Sequence, residues 1–373
     1  MKKFITSIEK IVFQEKLFGA VLVVSLFFTG CKKDSPHPST EIIVHSGSSI
    51  QAAVNSASPG TTIRIEPGVY AEAINVSTGN ITIIGLNGPK HSGVIIRNPG
   101  DEENGISVSE NGDGFVLKNV TVEGFEENGV YLTGVDGFIL SHVTTIDNGE
   151  YGLFPVHSKN GLIEECVATG HTDTGIYVGQ SSNVVVTHSE AYANVNGIEI
   201  ENCSDIVAEK NHSYDNVAGM LVILLPGLPV KSSSNILLKG NMVENNNHVN
   251  FATPGAGFES VVPSGSGILI VGTDKTVVQE NNVTGNHFTG IALVSTVILG
   301  SLAGLPPEAF ADIEPNPDDT RIIHNTVINN GTVPPPGLPL PAVDLLWDGS
   351  GTNNCWSHNT YLTSYPPTLP ACN

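Results

Sequence analysis

A chain of 373 residues with 16 Lys and Arg against 37 Asp and Glu carries a net charge of −21. Such a surface repels phosphate backbones, which excludes nucleic acid as a partner. Aromatics make up only 6%, Gly numbers 40, and long amphipathic helical patterns are scarce, so the composition predicts many short strands joined by turns.

The chain opens with Lys2, Lys3, Lys10 and Lys16 ahead of an apolar run over 17–28. That run is shorter than the ~20 residues that span a bilayer, and residues 1–30 read as a targeting segment. Phe28-Thr29-Gly30-Cys31 follows. Small residues directly before a Cys resemble the lipobox of bacterial lipoproteins. The resemblance implies that Cys31 is lipidated and becomes the first residue of the mature chain. Lys32 in place of Asp resembles outer-membrane sorting, so the implied location is the cell envelope, with a lipid anchor in the outer membrane. Loss of residues 1–30 removes four Lys and two Glu and leaves a charge near −23. Residues 31–40 read as a polar tether.

Residues 49–57, SIQAAVNSA, place Ile50, Ala53 and Val54 on one helical stripe. In 60–70, Ile63 and Ile65 alternate with Thr62, Arg64 and Glu66, and a Pro-Gly turn follows, which predicts a strand. The pairing of a short helix with G-T-T-I-x-I-x-P-G-x-Y resembles the start of pectate-lyase-like parallel β-helix proteins. The helix is then expected to cap the open end of the first coil.

A glycine next recurs at 105, 129, 152, 175, 197, 219, 267 and 290, mostly 22–24 residues apart. The stretch 175–219 holds two copies at a period of 22, with Gly175 over Gly197, Ile176 over Ile198, Tyr192 over Tyr214 and Asn194 over Asn216. A fixed period of this length marks a solenoid. Behind each Gly, apolar residues alternate as in a half-buried strand. Two further apolar clusters per period predict three strands per coil. A leucine-rich repeat is the competing solenoid, but the coils prefer Ile and Val and lack its Leu frame. The expected fold is therefore all-β. It is a single-stranded parallel β-helix of about ten coils over 41–345, followed by a C-terminal cap over 346–373. Right-handedness is implied by the resemblance.

Asn148, Asn194, Asn216, Asn286 and Asn329 form one expected ladder, and Asn211, Asn282 and Asn325 a second. Insertions interrupt the array. Those at 224–234, 298–319 and 333–341 are read as following the same strand, and that at 250–266 as preceding Gly267. As Leu- and Pro-rich loops they read either as a wall over a binding face or as a docking surface for a partner protein.

The residue two after each Gly points outward. That column holds Ser107, Tyr131, Phe154, Tyr177, Glu199, Leu221, Leu269 and Ala292, with Glu201 in the next. Aromatics beside carboxylates suit a sugar: flat faces stack on rings, and acids accept hydroxyl hydrogen bonds. The same column also reads as a shield that holds register. His157, His171, Asp173 and Gln180 lie near it in sequence. The stretch Tyr151-Gly152-Leu153-Phe154-Pro155-Val156-His157 resembles the Y-G-F-D-P-H stretch of alginate C5-epimerases, matching at Tyr151, Gly152 and Pro155. Phe154 replaces that family's acid, and His157 falls one place late. The implied activity is non-hydrolytic, lyase or epimerase, on a polysaccharide, with Tyr151, His157, His171 and Asp173 nearest the chemistry. Tyr131, Phe154, Tyr177, Gln180, Glu199 and Glu201 would hold the glycan.

Cys355 and Cys372 flank a short Pro-rich loop and are expected to pair in an exported chain. Cys166 and Cys203 read as buried thiols. The His residues show no metal-ligand spacing, and no dense D-x-D-x-D loop is present, so no metal site is expected from motifs. Ca²⁺ at carboxylate clusters, bridging an acidic sugar, is the only cofactor reading. The overall resemblance is to parallel β-helix repeat lipoproteins of bacteria, over about residues 45–330.

Overall fold

The computed structural model describes residues 40–86, 93–255, 257–334, 337, 338 and 340–372. The targeting segment, Cys31 and nearly all of the tether lie outside them.

Strands stack in parallel along a single axis. One sheet has eleven strands, from Ile74–Val76 through Thr174–Gly179 and Asn196–Glu201 to Ser364–Tyr365. The remaining sheet strands form two further faces, and Phe115–Glu123 and Asp136–Ile146 run unbroken across both. Register follows the repeat, with Ile176 against Ile198 and Val178 against Ile200. Inward residues therefore stack on their own kind. Ile106, Val130, Leu153, Ile176, Ile198, Met220, Ile268, Ile291 and Leu345 form one interior row, all buried. Each such side chain contributes roughly 1.5–3 kcal/mol of burial.

The corners follow one rule. A residue in the left-handed region is followed by an inward polar residue: Asp147–Asn148, Ala193–Asn194, Asp215–Asn216, Asn245–Asn246 and Asn329–Asn330. Each inward Asn takes the backbone N–H of its counterpart one coil earlier, as from Asn194 to Asn216 at 2.9 Å and from Asn286 to Asn330 at 3.1 Å. The expected columns thus shift by one residue at two places. Asn330, not Asn329, and Asn281, not Asn282, carry the ladders, because Asn329 occupies the left-handed turn and Asn282 is an exposed strand residue. Cys166 and Cys203 take the inward position at two different corners. Their backbone N–H groups bond Ser189 and Ser233, both thiols are free and buried, and burial pushes each up to about 12.

The repeat glycine follows from the ladder. A Cβ on Gly197 would lie 2.6 Å from the Gly219 carbonyl oxygen and 2.8 Å from Asn216 Nδ2. The rule breaks at Asp344, which stands in register where Gly290 stands one coil earlier.

Of the residues 346–373 expected as a C-terminal cap, 346–372 are described and continue the coil. Cys355–Ser357 pairs with Arg321–Ile323, and Ser364–Tyr365 pairs with the strand Val343–Trp347. Cys355 and Cys372 are joined by a disulfide. At the other end, the helix Ile50–Ser56 buries Ile50, Ala53 and Val54 on the first coil. Its N-terminus is held by Ser49 and by the Glu72 carboxylate, which accepts from the Ile50 and Gln51 N–H groups.

The insertions leave from both edges of the eleven-stranded sheet. The run 333–341 lies between Thr326–Ile328 and Val343–Trp347, so it shares its edge with 250–266 and not, as expected, with 224–234. From both sides the loops roof the outward face. Leu225, Ala252, Val262 and Leu299 pack on Leu221, Leu269, Ala292 and Leu346. These loop side chains are buried within the chain, while Phe251 and Val333 of the same insertions are exposed.

Candidate functional site

The outward column lies in register as expected. Tyr131 faces Phe154, Tyr177 faces Glu199, and Glu199 faces Leu221. The register row one turn earlier along the strands holds Asn104, Asn128 and Tyr151, then Thr174 and Asn196. These two rows build an aromatic wall. Tyr151 and Phe154 stack at 4.2 Å, Tyr131 and Phe154 at 5.4 Å, and Tyr177 packs edge-on to Tyr151 at 5.1 Å.

Beside the wall lies a carboxyl cluster. Thr174 Oγ1 donates to Glu199 Oε2 at 2.6 Å and lies 3.0 Å from Asp173 Oδ1. Asn196 Nδ2 donates to the same Glu199 oxygen at 3.1 Å. Tyr177 donates its phenol to Glu201 Oε1 at 2.6 Å, and the Tyr151 phenol faces Asp173. None of Asp173, Glu199 and Glu201 forms an ion pair among the described residues. Burial raises Asp173 to about 7, with the charges of Glu259 and Glu201 adding to it. Burial also raises Glu199 well above the carboxylate range, and then the charges of Asp173 and Glu201 do. Glu201 is raised by burial and Glu259. Buried like charges cannot all ionise, so the cluster holds protons at neutral pH. Burial and the same acids push the Tyr151 phenol far upward, so it stays a proton donor.

Tyr131, Tyr151, Phe154, Asp173, Tyr177, Glu199 and Glu201 thus meet on one face. His171 does not join them. It is a member of the inward ladder, where Asn148, His171 and Asn194 recur at intervals of 23. Its N–H donates to Asn194 Oδ1, its Nδ1 lies 3.1 Å from the Asn148 carbonyl, and Nε2 lies 3.1 Å from Thr145 Oγ1. Burial lowers it to about 4. The residue sits inside the coil and cannot reach a ligand on the outer face. His171→Asn is therefore expected to fold with less than ~1 kcal/mol lost, while His171→Ala leaves the ladder groups without partners and loses ~2 kcal/mol or more. Denaturant melts of the two variants check this.

His157 is exposed at the turn past Val156, with φ of 51°. It lies at the opposite end of its strand from Tyr151, in the corner column with Gln180. That corner borders Glu201: the Gln180 N–H donates to the Glu201 carbonyl. Three site members were missed in the sequence. Thr174 and Asn196 were legible as the residues before the repeat Gly. Glu259 comes from a turn, Phe258–Val261, in an insertion some coils later, and no local pattern points to it.

A cation has no obvious seat on this face. Among the described residues, the carboxylates that converge are Asp274, Glu314 and Asp318, on later coils.

Residues 104–225 match the family model for a right handed beta helix region. No curated protein matches the chain significantly. Among solved structures, the A-module of Azotobacter vinelandii mannuronan C-5 epimerase AlgE4 superposes with a TM-score of 0.62 at 18% identity, over 83% of this chain and 82% of that one. The A-module of the epimerase AlgE6 from the same organism gives 0.59 at 17%, over 86% and 95%. A DFA-IIIase from Arthrobacter chlorophenolicus A6 gives 0.55 at 13%, over 83% and 80%. At these identities the likeness is one of fold, and the chain is a right-handed parallel β-helix.

Proposed function

We propose that this right-handed β-helix binds a polysaccharide along the outward face from Ser107 to Glu201 and processes it by proton transfer at Tyr151 and Asp173. The observation that carries the reading is the Tyr151 phenol facing a raised Asp173 carboxyl beside an open aromatic wall. The rings of Tyr131 and Phe154 stack on sugar faces. Carboxylic acids held protonated donate hydrogen bonds, here to the carboxylate of a uronate, and so neutralise it without a basic side chain.

Neutralising that carboxylate acidifies the neighbouring C5–H. Asp173, poised near neutrality, accepts the C5 proton. In elimination, the C5–H electrons form the C4–C5 double bond, the C4–O bond breaks, and Tyr151 protonates the leaving oxygen. In epimerisation, Tyr151 returns a proton to the opposite face of C5. The two outcomes share the same residues. Added Ca²⁺ tests a bridge between the acidic surface and an acidic sugar. The lipobox-like Cys31 supports export and lipid anchoring in the envelope, with the outer membrane as the proposed site.

Polymannuronate and polygalacturonate, each with and without Ca²⁺, test the reading. Proton NMR reads inversion at C5, and absorbance reads the unsaturated product. Tyr151→Phe is expected to lose turnover at least ~100-fold while keeping glycan affinity. Equal turnover in Tyr151→Phe and wild type would remove Tyr151 from the chemistry.

A further inference from the structure

The outward face is open at one end and closed at the other. Ser107, Tyr131 and Phe154 are half-buried on successive coils. At the Ser107 end the face runs into a polar cleft of about 280 Å³, lined by Asn75, Asp101, Glu103, Asn104 and Ser107. Toward the C-terminus, exposure collapses along the same column: Tyr177 5%, Glu199 6%, Leu221 2%. From Leu221 onward the roof of loops covers the column. The turn Phe258–Val261 belongs to that roof, and it brings Glu259 close enough to raise both Asp173 and Glu201. A polymer lying across Tyr131 and Phe154 therefore meets a wall about one coil, some 4.8 Å, beyond the Tyr151–Asp173 pair.

One acceptor at this closed end lacks a donor. Gln180 Oε1, in the corner that borders Glu201, is buried and has no hydrogen-bond partner among the described residues. Buried acceptors without donors are costly, and a ligand hydroxyl supplies one. The last sugar of a chain carries a hydroxyl that an internal sugar has spent in its glycosidic bond. At the Glu201 corner the Gln180 amide oxygen is left to accept, which suits a ligand group that donates.

We propose that this protein recognises the end of a glycan chain, seated against the Glu201–Glu259 wall, and acts on the terminal sugar rather than inside the polymer. The inference rests on the glycan-processing reading above. Internal segments would have to continue through the roof.

Hexasaccharides of mannuronate and of galacturonate test it by calorimetric titration. Each is used free, as the methyl glycoside at the reducing end, O-methylated at the non-reducing terminal hydroxyl, and with both ends methylated. Blocking one of the two ends is expected to weaken binding at least tenfold, and which end does so identifies the one that meets the wall. Gln180→Ala is expected to shrink that difference, by weakening binding of the free sugar more than binding of the end-blocked sugar. Equal affinities for the free sugar and for a sugar blocked at both ends would overturn the inference and leave the glycan site standing. No binding of any form would overturn the site itself, and the inference with it.

Discussion

Asn216→Ala melts far below the wild-type protein, by on the order of 3–5 kcal/mol in unfolding free energy. Asn216 is fully buried, and its amide is used on both sides. Its Oδ1 accepts from the Asn194 N–H at 2.9 Å and from Asn194 Nδ2 at 3.1 Å. Its Nδ2 donates to Asn246 Oδ1 at 2.9 Å, to the Ala191 carbonyl at 3.0 Å and to the Tyr214 carbonyl at 2.9 Å. Truncation orphans donors above and an acceptor below, in a place water does not reach. Each orphan costs about 1–3 kcal/mol. Asn282→Ala is the control, because Asn282 is exposed and outside the ladder. Its expected effect is within ~0.5 kcal/mol. Denaturant unfolding of both variants decides the matter, and similar losses in the two would show that the ladder contributes no more than a surface amide.

The second large effect concerns pH. Asp173, Glu199, Glu201 and Glu259 are all raised by burial. A raised carboxyl binds its proton more tightly in the folded chain than in the unfolded one. Its contribution is fully present below the unfolded value, near 4, and is lost as pH rises through the folded value, about 7 for Asp173. Each retained proton contributes about 1.4 kcal/mol per pH unit across that window. His171 acts with the opposite sign: lowered to about 4, it stabilises above its unfolded value and gives that up as pH falls from about 6.5 toward 4. Four carboxyls outweigh one imidazole, so thermal stability is expected to fall from pH 5 to pH 8. The Asp173→Asn, Glu199→Gln double variant keeps the hydrogen-bonded shape without the ionisation. It is expected to match wild type near pH 4 and to exceed it near pH 8. Parallel melting curves for the two proteins across that range would mean that the cluster does not hold its protons.

Much of the architecture was legible because a β-helix repeats its physics. The copies in 175–219 share inward residues at one period, and that alone sets the register and the outward column of Tyr131, Phe154, Tyr177 and Glu199. What escaped was whatever broke local pattern. His171 was placed near the chemistry by the resemblance to alginate C5-epimerases, yet its interval of 23 from Asn148 and Asn194 marks a ladder place. Residues 346–373 were expected as a cap, yet 355–357 and 364–365 pair onto the preceding coil beyond Asp344. There the Asp344 carboxylate ends the Asn ladder, accepting from Asn330, Leu362 and Thr363. The insertions were read as a wall over a binding face or as a docking surface, but which residues they cover was not legible, because the contacts to Leu221 and Leu269 join segments far apart in sequence. Glu259 reaches the site by the same long-range route.

The most direct test of the account is the affinity of the folded chain for a glycan before and after Phe154→Ala. Phe154 stacks between Tyr131 and Tyr151 at the centre of the open face. A glycan array selects the ligand, and titration compares wild type, Phe154→Ala and Tyr192→Ala. Tyr192 belongs to a stacked pair with Tyr214 on a different face. The account predicts a ligand for the wild type, a loss of about tenfold or more, ~1.4 kcal/mol, for Phe154→Ala, and no loss for Tyr192→Ala. An array that stays blank, or an affinity that Phe154→Ala leaves unchanged, would contradict it.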